Sequence, residues 1–341
     1  MKLPVLFPAP ACLGLLGPAG DRLPSRASVN LLITGGTVIT MDSARRVLED
    51  GAVAIRRDRI IAVGPSRELT ARFTARQTID AHRTVVMPGL IDGHGHAGHG
   101  PVQTLGRDTD EWYGATEQIC ARGSTVGFWR AEALLTGVER VRFGVTTALS
   151  DFGGGDMVVR TDDPKYGDAY LQVTSDVGIR FILAVGPRRP PFPRTYAVMI
   201  PTHHPDPKAD TGTAVAEITS QARAARALSK RYGLLFTQDG HSSGTIQWAV
   251  ELLDAGATVM LGADGVAPDR SDDMFRHMFQ AMRYHRAARR EANVLPAGKV
   301  LEMVTIDAAR ALGMEREIGS LESGKKSTSF SSTSAGPTCS R

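Results

Sequence analysis

Two histidines one residue apart, His94 and His96, sit in the run Val85-Val-Met-Pro-Gly-Leu-Ile-Asp-Gly-His-Gly-His-Ala-Gly-His99, where an apolar segment meets a Pro-Gly break. Residues i and i+2 of a strand point to the same side, so both imidazoles can aim at one point. Gly93 and Gly95 then read as removing side chains that would crowd that point. This is a metal-ligand geometry, although a tight turn beside a buried polar network shows the same bare pattern. A mononuclear hydrolytic site needs three or four ligands around one divalent ion, and an open position for a water whose pKa the metal lowers toward about 7. Asp264, in Leu261-Gly-Ala-Asp-Gly265, is a second candidate. An acid at the C-terminal end of a barrel strand followed by glycine reads as catalytic; its bland alternative is the N-cap of the next segment.

The stretch Met87-Pro-Gly-Leu-Ile-Asp-Gly-His-Gly-His96 resembles the first-strand signature of the amidohydrolase superfamily. Its members include cytosine, guanine and adenosylhomocysteine deaminases and triazine hydrolases. The resemblance implies a metal held by His94, His96, His241 and Asp264, with Asp264 as proton acceptor and His241 also at the catalytic centre. His241 follows Phe236-Thr-Gln-Asp-Gly240, where the family's strand-five ligand would stand, and is otherwise a loop histidine. The expected cofactor is one divalent metal, zinc with iron as the alternative. The family's further histidine at strand six has no counterpart between His241 and Asp264. His203 and His204 are adjacent, so at most one would face a site. Lys208, the lysine nearest to a bridging position of binuclear relatives, lies in a Pro-Asp-Pro-Lys loop, and one metal is preferred.

These side chains need strand ends to hold them. Before Val85 the chain reads as short β runs: Leu31–Thr34, Thr37–Thr40, Ala52–Ile55 and Arg59–Val63, the last two flanking Arg57-Asp58 as a hairpin would, then Gln77–Asp80. A small antiparallel sheet is expected, which the resemblance makes part of a β-sandwich. From Val85 single apolar strands alternate with helical periodicity, the pattern of βα units and a parallel sheet. Strands are expected at Val145–Ser150, Ile179–Val185, Ala197–Ile200, Gly233–Thr237 and Ala257–Asp264. Helices are expected at Glu132–Arg142, with Leu134, Leu135, Val138 and Val141 as its apolar face, at 272–290 with Ser271 as N-cap, and at 297–312. His277 and His285 read as exposed on the second of these, and His99 as either pocket-lining or exposed. Trp112, Tyr113, Phe128 and Trp129 could wall a planar substrate or pack the core, and Gly153–Gly155 lacks the context of a phosphate loop.

About six strands are identifiable, and the span 85–313 is short of the roughly 250 residues a closed (β/α)8 barrel takes. The fold class is therefore α/β: an incomplete TIM-type barrel with a partial N-terminal β-sandwich, as if two βα units had been excised. The expected divisions are a disordered tail at 1–30, a β-sandwich segment at 31–84, a hydrolase barrel at 85–313, and a sandwich re-entry with a disordered Ser/Thr-rich tail at 314–341.

Bulk properties narrow the partners. The chain has 341 residues, 42% hydrophobic and 22% charged, with a net charge of +4 and its Lys and Arg dispersed among Asp and Glu. Nothing in this favours nucleic acid. Cys12, Cys120 and Cys339 are too scattered for a disulfide framework, which fits a reducing, cytoplasmic setting. Prolines at 4, 8 and 10 interrupt the apolar opening segment, against a signal peptide, and no apolar window is long enough to span a membrane. The expected partner is a small molecule, and a homo-oligomer is compatible with the chain. Two functions follow: a metal-dependent hydrolase of non-peptide carbon–nitrogen bonds in a small cyclic substrate, acting through metal-activated water, or a truncated, inactive relative.

Overall fold

The computed structural model describes residues 26–103, 105, 116, 119–152, 165–184, 236–239, 249–266, 271–327, 329–333 and 336–340. The expected strand at 197–200, and His203, His204, Lys208, His241, Trp112, Tyr113 and Gly153–Gly155, lie outside these.

Strand β1 (Ala27–Ile39) organises the N-terminal sheet. The two runs expected on either side of Gly35-Gly36 are one strand, with register shifts there; Gly35 has φ +84° and the gap is absorbed without breaking the strand. β2 (Val47–Arg56) and β3 (Arg59–Pro65) follow as an antiparallel meander turning at Arg57-Asp58. Helix α1 (Ser66–Arg72), not foreseen, then carries the chain across, so β4 (Phe73–Asp80) returns parallel to β1. β5 (Val85–Pro88) is parallel to β1 as well. The sheet is thus mixed, not antiparallel, because a helical crossover returns a strand in its original direction. Leu31, Ile33, Val53 and Ile55 belong to one apolar cluster of this sheet, and Val29, Leu32, Ala52, Ala54, Leu69 and Phe73 to another.

The second layer is a set of parallel strands. β6 (Leu90–Ala97), β7 (Val145–Phe152) and β8 (Arg180–Ala184) lie side by side in that order. β9 (Phe236–Asp239) pairs in parallel with β10 (Val259–Gly262), and a parallel bridge between Gly95 and Asp264 joins β10's end to β6. Helix α2 (Val126–Arg142) connects β6 to β7, while α3 (Lys165–Leu171) and α4 (Val173–Val177) precede β8. α5 (Ala249–Asp254) precedes β10, and α6 (Met274–Arg289), α7 (Ala297–Met303) and α8 (Ile306–Ala311) follow it. Leu90, Trp129, Val145, Tyr170, Val259, Leu261 and Met303 belong to the apolar core between strands and helices.

Several expectations change here. The helix expected over 297–312 is two, broken where the Val304 carbonyl accepts a hydrogen bond from Ile91 of β6 at 2.8 Å. The N-cap of α6 is Asp273, whose carboxylate accepts from the Phe275 and Arg276 amides, rather than Ser271. His277 and His285 are buried, not exposed. α2 is rotated from its expected face: Leu135 and Val138 are exposed, and Trp129, Glu132, Ala133, Thr136 and Arg140 face inward. The tail expected to be disordered pairs as two strands, β11 (Ser329–Thr333) and β12 (Gly336–Ser340), with β11 antiparallel to β5. The open edge of β5 supplies unpaired backbone groups, which a Ser/Thr strand can satisfy without an apolar pattern of its own. No helix among the described residues is long and apolar enough to cross a membrane.

Candidate metal centre

Pro88 ends β5 and Gly89 opens the step into β6, pressed so closely on Thr146 that no side chain fits. Along β6 the alternation of the strand places His94 and His96 on one side, half-buried, and Gly93 and Gly95 on the other. The glycines do not clear room for the ligands, as first expected. A Cβ on Gly93 would stand 2.7 Å from Met260 Cγ, and one on Gly95 would stand 2.6 Å from Arg140 Nη2. They let β10 and α2 press against β6 from behind.

Asp264 comes to the same point from β10. Its amide donates to the His94 carbonyl at 2.8 Å, and its φ of 61° is in the left-handed region, where Asp is among the few side chains tolerated. Asp264 Oδ1 lies 2.8 Å from His96 Nε2 and 3.4 Å from His94 Nε2. One donor atom from each of His94, His96 and Asp264 falls within 4.8 Å of the others. Two imidazoles and a carboxylate gathered this tightly suit a borderline ion such as zinc, so the donor set fits a divalent metal.

Around the three lies a layer that the sequence did not single out. Asp92, fully buried, accepts from the Ala263 amide at 2.9 Å and the His94 amide at 3.3 Å, and from Arg140 Nε at 3.0 Å. Arg140 Nη2 stands 2.8 Å from Asp272 Oδ1 as an ion pair. Burial pulls against the charge of Arg140, but Asp272 and Asp92 outweigh it and hold the guanidinium more firmly protonated than usual. Burial raises the Asp272 carboxyl well above the ordinary range, with Arg140 opposing. Glu132 accepts from the Gly98 amide at 2.9 Å, and burial pushes its carboxyl up to about 7. His99 is buried, stacked on His96 at 4.9 Å between centroids, and burial pulls it down to about 3, so it stays neutral. Trp129 packs the core against Phe152 and does not wall a pocket. The available signal was the spacing Glu132-Thr136-Arg140, polar residues recurring at helical intervals beside Trp129 and Ala133.

The model of the amidohydrolase family matches residues 191–327, and that of an imidazolonepropionase-like composite domain of bacteria matches residues 51–75. The chain is thus similar to members of the amidohydrolase superfamily. It is 28% identical to a 5-methylthioadenosine/S-adenosylhomocysteine deaminase of Syntrophobacter fumaroxidans over 362 residues, which cover 87% of this chain and 83% of the relative. An adenosine deaminase from Xanthomonas campestris, solved with bound zinc, superposes with a TM-score of 0.67 at 20% identity, covering 90% of this chain and 85% of its own. Atrazine chlorohydrolase from Arthrobacter aurescens, a mutant form complexed with zinc and atraton, gives 0.62 at 20% identity, covering 89% and 87%. These two structures show that this chain shares their α/β fold.

Proposed function

We propose that this chain is a metal-dependent hydrolase that removes an exocyclic amine from, or opens a ring amide of, a small nitrogen heterocycle, with adenosine-type compounds the first substrates to try. The convergence of His94, His96 and Asp264 carries the reading. The deaminase activities named for the relatives and the zinc in two structural neighbours support it. In this reading His94, His96 and Asp264 hold one divalent ion, zinc first and iron second, and His241 is a further ligand and part of the catalytic centre. The ion, when bound, lowers the pKa of water toward about 7. Asp264, whose backbone amide donates to the His94 carbonyl, accepts a proton from the attacking water and returns it to the leaving nitrogen. For a deamination one water is consumed, the exocyclic C–N bond breaks, a carbonyl forms and ammonia leaves.

The barrel is read as gapped. Two observations support this: β9 pairs directly with β10, and the 362-position match to the Syntrophobacter relative is longer than the whole 341-residue chain. The inactive alternative gains no support, since the ligands converge and the relatives are named as deaminases.

The test is ammonia release from 5′-methylthioadenosine, S-adenosylhomocysteine, adenosine and guanine, alongside metal analysis of the purified protein. About one zinc or iron per chain and turnover of at least one compound are expected. His96→Asn and Asp264→Asn should lose the metal and lower kcat by about a thousandfold or more. Metal-free protein that turns substrate over as fast as the loaded form would sink the reading.

A further inference from the structure

The ion group behind the ligands is costly. Asp92, Arg140 and Asp272 are each no more than 1% exposed, and a buried ion cluster generally stabilises a fold less than apolar residues of the same volume. Its geometry suggests what it does instead. Asp92 Oδ1 receives the amide of His94, a ligand, and the amide of Ala263, the residue before Asp264. One carboxylate thus ties the two strand ends that bring the ligands together, although they are far apart in sequence. Asp92 Oδ2 receives Arg140 Nε, which orients the carboxylate from the opposite side. Arg140 is held in turn by Asp272, just ahead of α6, and its Cζ lies 6.0 Å from the ring centroid of Phe181 on β8. Gly95, between the two ligand histidines, has no side chain where the guanidinium lies.

We propose that Arg140 is a positioning residue for the metal centre: by orienting Asp92 it sets the separation of the β6 and β10 ends, and so the bite of His94, His96 and Asp264 on the ion. The inference rests on the metal-site reading above. Arginine suits the place because its planar fork engages two carboxylates at once, whereas a lysine ammonium can satisfy one in that geometry.

Arg140→Lys and Arg140→Met are compared with the wild type for zinc affinity, by chelator competition, and for the visible absorption spectrum of the cobalt-substituted protein. Loss of an outer partner of a metal ligand generally costs about 10–100-fold in affinity, and that loss is expected here with an altered cobalt spectrum, Lys restoring only part of it. Asp272→Asn keeps the Arg140–Asp92 contact and should weaken zinc only several-fold, which supplies the readout if both Arg140 variants fail to fold. Wild-type affinity and an unchanged cobalt spectrum in a folded Arg140 variant, or in Asp272→Asn where neither folds, would overturn the proposal. A wild type that binds neither zinc nor cobalt would instead overturn the metal reading itself.

Discussion

Glu132 illustrates how a single buried residue writes a pH dependence into the molecule. Its carboxyl is held on α2 under the loop that follows His96, and burial pushes it from an ordinary 4.5 up to about 7, with the backbone amides of Gly98 and Gly100 and the charge of Arg140 opposing. The unfolded chain releases this proton near 4.5 and the folded chain near 7. Folding therefore retains a proton across that window, and stability falls as pH rises through it, by an amount on the order of 3 kcal/mol once both forms are ionised. Glu132→Gln has no proton to lose. Its melting temperature should decline less between pH 5 and pH 8 than that of the wild type, measured by thermal denaturation under matched salt. Asp272, whose carboxyl is also raised by burial and to a smaller degree by Glu132, is coupled to this residue, so the difference between the two proteins reports Glu132 together with its effect on Asp272. Equal declines in the two proteins would show that Glu132 ionises in the fold as it does in water.

The contact of β6 with β10 is one where two elements must approach closely. A Cβ on Gly262 would lie 2.5 Å from the His94 amide nitrogen and 2.6 Å from its carbonyl oxygen, both backbone atoms with nowhere to go. Overpacking generally costs about 1–3 kcal/mol, and Gly262→Ala should reach the upper part of that range in urea unfolding while weakening zinc, because His94, a proposed ligand, is itself displaced. A variant of unchanged stability would mean the strands separate freely. Element by element, the sequence was informative where a local signal agrees with the tertiary outcome. The β2–β3 hairpin, β6 to β8 and β10 follow from apolar runs bounded by turn residues. α2 was found, but its inward face was misread, because Leu135 and Val138 carry the apolar pattern whereas Glu132 and Arg140 are the residues buried. Tertiary pairing with Asp92 and Asp272 supplies the reason, and no partner 48 residues upstream or beyond is visible in a helical period. The same holds for Gly95: its neighbourhood in sequence pointed to the ligands, and only the packed structure reveals Arg140 behind it. That His94, His96 and Asp264 come together was legible because strand alternation and strand-end placement are local properties; their role as ligands is the proposal.

At the scale of the whole chain, the centre joins parts that fold far apart. His94 and His96 come from the first of the parallel strands and Asp264 from the end of β10, with α2, β7, β8 and α5 between them in sequence. An ion bound by all three recognises only the assembled arrangement, so binding is linked to global folding and not to a local loop. With free zinc at about a thousand times its dissociation constant the folded state gains on the order of 4 kcal/mol, which for a chain of this size raises the melting temperature by roughly 5 °C. Thermal melts of chelator-treated wild type titrated with zinc should climb by that amount and stay cooperative. The same titration on Asp264→Asn should rise far less, since two histidines on a single strand can bind an ion without requiring β10 to be in place. Equal rises in the two proteins would place the metal outside the site formed by β6 and β10. A rise confined to the wild type would tie the ligands, the two strand ends and the fold into one equilibrium.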